Sequence, residues 1–163
     1  MDRTACPWLI KRFVDPDAEF LFVPRIEVKA VAEREGAIPY DLDIAELKHY
    51  GKNCTFDAII EKYEIKDEAV LELAKIVRAA DTGRANKVPQ ARGFEFLLDG
   101  ISMASKNDDE AIEKTMVVYD HFYDACRLKL FREKHAKELQ SMDKRTRRSY
   151  LREHLASGKS SAP

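Results

Sequence analysis

Hydrophobic residues recur with the helical period along most of this chain, and only short stretches break that rhythm with strand-like runs. The clearest pattern follows Asp67. Val70, Leu71, Leu73, Ala74, Val77 and Ala80 fall on one face, and Asp67 has the side chain that caps a helix start. A longer pattern begins at Asn107 or Asp108 and turns Ile112, Met116, Tyr119, Tyr123 and Cys126 inward. Shorter helices are expected over residues 2–13, with Pro7 in the first turn, and over 28–35, closed by Gly36. Residues 56–63 read as a helix capped by Thr55, and residues 90–104 as another. Against these stand residues 19–23, which have strand composition and end at Pro24, residues 37–42, and a weaker run over 44–49. The pattern therefore predicts an α+β fold, predominantly helical, with a small β-sheet built from the Phe20 and Pro39 regions. From Arg132 the apolar stripe thins, and Asp143 can head a last basic helix. The expected organisation is one domain over residues 1–131 and a basic helical extension over 132–163, whose Ser- and Gly-containing end has the composition of a frayed terminus.

Charge sharpens this division. The chain of 163 residues has a net charge of −1, yet from Arg127 onward 11 basic residues accompany only 4 acidic ones. That segment carries +7, so the preceding part carries −8. An acidic body with a basic tail can dock on itself, or the tail can meet a separate anionic partner. No window approaches 18 uncharged apolar residues, and the first apolar run is broken by Lys11 and Arg12, so neither a membrane span nor a secretory signal is expected. Three cysteines without paired spacing read as reduced thiols. The cytoplasm is the expected compartment.

Candidate chemistry concentrates between His49 and Asp57, where an imidazole, a thiol and a carboxylate share one turn and the opening of one helix. Gly51 and Asn53 suit a tight turn. Cys54, placed just outside the helix's positive end, is expected to have a lowered pKa and to bind metals or attack electrophiles as thiolate. The competing reading makes Cys54 a small buried apolar group and Asp57 a complement to the helix dipole. Asp81 lies at a helix C-terminus, where a carboxylate opposes the dipole and calls for a compensating cation or an ion pair with Arg78 or Arg84. Cys6 is a second thiol near a helix start, framed by Arg3 and Arg12. Asp120 and His121 lie in the middle of the long helix.

Asp2-Arg3, Cys6-Pro7-Trp8-Leu9-Ile10, Arg12-Phe13, Asp15-Pro16 and Phe20-Leu21-Phe22-Val23-Pro24 together resemble the opening of the C-terminal domain of the ChrB chromate-resistance family. The resemblance continues through His49, Cys54 and Phe56-Asp57, through Ile76-Val77-Arg78 and Ala80-Asp81, through Gln90-Ala91 and Gly93, and through Met116-Val117-Val118-Tyr119-Asp120 with Tyr123. It covers most of residues 1–126 and stops before the basic tail. In that family the domain often follows a region tied to DNA-linked regulation; here the motif begins at residue 2, which reads as a stand-alone form. The resemblance implies a role in chromate resistance or sensing, with a small inorganic ion as partner.

Three functions remain open on these residues. The first is binding or sensing of a metal ion or a metal oxyanion. Arg3, Cys6, Arg12, Asp57 and Asp120 would serve as ligand-binding residues, and His49, Cys54 and Asp81 as ligands for a transition metal such as zinc or iron. The second is a metal- or thiolate-dependent enzyme, redox chemistry included, although no hydrolase triad, Walker loop or dinucleotide fingerprint identifies a reaction. The third is an interaction module using the basic tail. Nucleic acid is not the expected partner, because no recognisable nucleic-acid-binding motif surrounds the basic cluster at 144–148, whereas the C-terminal helices offer a route to homo-oligomers.

Overall fold

The computed structural model describes residues 1–42 and 45–157 and shows an all-α protein. Eight α-helices follow one another among the described residues. They are α1 (Asp2–Phe13), α2 (Val28–Glu35), α3 (Thr55–Lys62), α4 (Glu68–Asp81), α5 (Pro89–Met103), α6 (Asp108–Lys134), α7 (Ala136–Ser141) and α8 (Lys144–Ser157), with a single 3₁₀ turn at Ala85–Lys87. None is long and apolar enough to cross a membrane. The expected small sheet is absent among the described residues. Residues 19–23 form no regular element and pair with no neighbouring strand, and a lone strand cannot satisfy its backbone. Their aromatic rings instead meet cations, Phe20 under Lys11 and Phe22 under Arg3. The Pro39 region contributes one isolated bridge, Tyr40 to Leu47, where a second strand was expected. Asp43, Ile44 and the terminal stretch 158–163 lie outside the described residues.

Helix α6 is the central strut and packs against α1, α4 and α5. It runs unbroken through the boundary expected at residue 131. Trp8 of α1 fills the junction: its indole stacks on Phe56 of α3 and Tyr119 of α6, and meets Phe13 and Tyr123 at tilted angles. Around it Leu9, Ile59, Val70, Leu73, Val77 and Phe94 are almost wholly buried. Start signals act close to their expected places. Asp67 accepts from the amides of Ala69 and Val70, Asn107 from that of Glu110, and Asp143 from those of Arg145 and Thr146. The cap of α3 moves by one residue. Cys54, in extended conformation, is the N-cap, and Asp57 completes a capping box by accepting from the Cys54 amide at 2.9 Å.

Candidate functional site

Three chain segments converge beside the start of α1. Asp2 opens that helix, Asp81 closes α4, and His49 and Asp41 come from the irregular connection between α2 and α3. The connection is held in shape by the Asp41 amide donating to the Leu47 carbonyl at 2.8 Å and by a reverse turn from Tyr50 to Asn53, in which Gly51 adopts a φ of 57°. Asp41 itself has a φ of 58°, a left-handed conformation that Asp tolerates better than most residues, and its carboxylate accepts from the Thr55 hydroxyl. His49 Nε2 lies 3.3 Å from Asp81 Oδ2, 3.4 Å from Asp2 Oδ2 and 3.6 Å from Asp41 Oδ1. One ligand atom from each of Asp2, Asp41 and His49 falls within a common span of 4.8 Å.

Three carboxylates crowd this cluster, and His49 and the N-terminal ammonium of Met1 are the positive charges acting on them. The Asp2 and Asp81 side chains are only 10 % and 9 % exposed, and Asp81 Oδ2 is buried without accepting a hydrogen bond, although the imidazole stands near it. Burial, reinforced by the neighbouring Asp2 charge and opposed by His49 and the N-terminal ammonium, pushes the Asp81 carboxyl up to about 6. The same forces raise Asp41. His49 is 42 % exposed and borders solvent, so the cluster has a buried floor and an accessible mouth.

The thiols do not behave as their positions near helix starts suggested. Burial and the adjacent Asp57 charge push Cys54 up to about 12, overriding the helix dipole that was expected to lower it. Its Sγ donates to Asp57 Oδ2 at 3.4 Å. Cys6 is likewise raised by burial and by Asp2, and its Sγ donates to Asp2 Oδ1 at 3.7 Å. Both thiols are therefore protonated donors to carboxylates.

Among the residues singled out from the sequence, the structure brings His49 and Asp81 together and places Cys6 one helical turn behind Asp2. Cys54 belongs to the adjoining structural network. There Asp57 accepts from the Cys54 amide and thiol and from both arms of Arg78, with Nε at 2.8 Å and Nη2 at 2.5 Å. Arg78 thus pairs with Asp57 and not with Asp81. Asp120 lies elsewhere, receiving two hydrogen bonds from Arg12 and one from Trp8 Nε1 at 2.8 Å, while Arg3 pairs with Asp108 at 2.7 Å. Asp2 and Asp41 were not among the sequence candidates. Asp2 carried a signal, since it stands four residues before Cys6 on one helix face, but Asp41 sits in a loop without periodicity, and only the fold reveals its neighbours.

Comparison with known proteins adds a family to this geometry. Residues 1–126 match the family model described as ChrB, C-terminal domain. Protein ChrB of Cupriavidus metallidurans is 31 % identical over 124 residues, which is 76 % of this chain and 37 % of that protein. The chain therefore spans little more than a third of the length of that relative. No solved structure matches.

Proposed function

We propose that this chain, which belongs to the ChrB C-terminal domain family and is thereby related to chromate resistance, binds a divalent metal cation between Asp2, Asp41, His49 and Asp81. The observation that carries the reading is the group of Asp2, Asp41 and His49, whose ligand atoms lie within 4.8 Å of one another, with the buried Asp81 Oδ2 beside it, 3.3 Å from His49 Nε2 and accepting no hydrogen bond. Burying such a group without a partner costs about 1–3 kcal/mol, and a cation removes that cost by neutralising the cluster. Spacings of 3.3–3.6 Å suit neighbouring donors on one ion, because first-row metals hold oxygen and nitrogen about 2.0–2.2 Å away. Three carboxylates and one imidazole form a hard donor set, which favours iron(II) or manganese(II) over thiolate-seeking ions. The exposed edge of His49 leaves coordination positions for water or a small ligand.

The same charges argue against an oxyanion at this place, since chromate is a dianion and three carboxylates repel it. Arg3 and Arg12, the cations expected to receive it, are engaged by Asp108 and Asp120.

Cobalt(II) provides the test, because its spectrum reports the donor set. Titrating the full chain should give weak visible bands of oxygen–nitrogen coordination, without the intense near-ultraviolet band of a cobalt–thiolate bond. Cys54→Ala should leave the spectrum intact and His49→Ala should lower affinity at least tenfold. A thiolate band lost in Cys54→Ala would move the site to the cysteines.

A further inference from the structure

We propose that the outer face of α8 is a docking surface for the phosphate backbone of a nucleic acid. Lys144, Arg145, Arg148 and Arg152 recur about one helical turn apart and, with Ser149, line an open recess of about 450 Å³. Among the described residues these four cations form no side-chain hydrogen bond or ion pair, whereas Arg3, Arg12, Arg34, Arg78 and Arg127 all have acidic partners. The acidic body of the chain does not neutralise them.

The helix that carries them is held by its opposite side. His154 stacks on Phe131 of α6 at 3.8 Å, Tyr150 meets the same ring at 5.5 Å, and Arg127 donates to the carbonyls of His154 and Leu155. Asp143 caps the start through the Arg145 and Thr146 amides. The cations are therefore presented in fixed register, each turn advancing 5.4 Å along a strand whose charges repeat every few ångströms. A membrane surface fits less well, because Tyr150, Leu151 and Leu155 are partly buried and no large apolar side chain of α8 is exposed for insertion. Sequence alone pointed away from nucleic acid for want of a recognisable motif; the fold adds a docked helix with an unpaired basic face.

Fluorescence polarisation of the full chain with labelled 20-base-pair duplex DNA and with single-stranded RNA of mixed sequence tests this. Binding is expected to at least one probe, with little sequence preference and a weakening of about 100-fold between 50 and 200 mM salt, the slope for about four phosphate contacts. The triple variant Arg145→Glu, Arg148→Glu, Arg152→Glu should bind at least tenfold more weakly with an unchanged melting temperature, and chelation of metal should not alter the binding of the parent chain. No binding at 50 mM salt, equal binding by the triple variant, or tighter binding to phosphatidylserine vesicles or a polyglutamate peptide would overturn the proposal.

Discussion

Replacing Arg78 with alanine is expected to cost about 3 kcal/mol of folding stability, among the largest effects of any single charge removal in this chain. The guanidinium holds the Asp57 carboxylate with two hydrogen bonds, and that side chain is 7 % exposed. Asp57 is also the capping-box residue of α3 and the acceptor for the Cys54 thiol, so one carboxylate ties α3 to α4. Without Arg78 it is left buried with only one amide and a weak thiol donor. A third of the Arg78 side chain is open to water, which places the effect at the lower end of the 3–5 kcal/mol seen when a buried pair is broken. Arg78→Lys keeps the charge but cannot reproduce the two-pronged contact, and should lose roughly half as much. Urea unfolding with a shared m-value measures both; a loss below about 1 kcal/mol for Arg78→Ala would show that the contact is idle.

Asp81→Asn should have opposite effects on stability and on binding. In the metal-free chain the folded-state carboxyl titrates near 6, above its ordinary value of 3.8. A raised acid binds more protons folded than unfolded between these values, so stability falls as pH rises from about 4 to about 6 and stays low above. The penalty at neutral pH is at most about 3 kcal/mol, since each pKa unit corresponds to about 1.4 kcal/mol. Asn carries no charge to desolvate, so the metal-free variant should melt higher than the parent at pH 7 and lose most of the difference at pH 4. Asp41 shifts in the same direction, whereas Asp120 and Glu72 are lowered by their cationic partners and act oppositely, so the comparison of variant with parent isolates Asp81. The same substitution removes a metal ligand and should abolish stabilisation by added manganese(II). A variant less stable than its metal-free parent at pH 7 would contradict this account of the site.

The contrast between what the chain discloses and what it hides follows the range of the forces involved. Helix α4 was legible because its apolar spacing and the Asp67 cap are both local. Residues 19–23 misled for a related reason. Their side chains suit a strand, but a strand exists only with a partner, and whether one is available depends on distant sequence. Cys54 shows a second limit. Its place at a helix start predicted a lowered pKa, yet burial and Asp57 outweigh the dipole, and burial is a property of the packed whole. The His49–Asp81 approach could be suggested from two polar residues at chain reversals, whereas Asp41 reaches them only through an unusual loop conformation.

The most direct measurement is the metal content of the purified full chain after iron(II) or manganese(II) repletion and exhaustive desalting, compared across His49→Ala, Asp81→Asn and Cys54→Ala. The geometry predicts close to one ion per chain in the parent and in Cys54→Ala, and a loss of most of it in His49→Ala and Asp81→Asn. Parent-level metal in both of the latter variants, or no metal retained by the parent itself, would contradict a cation site built on Asp2, Asp41, His49 and Asp81.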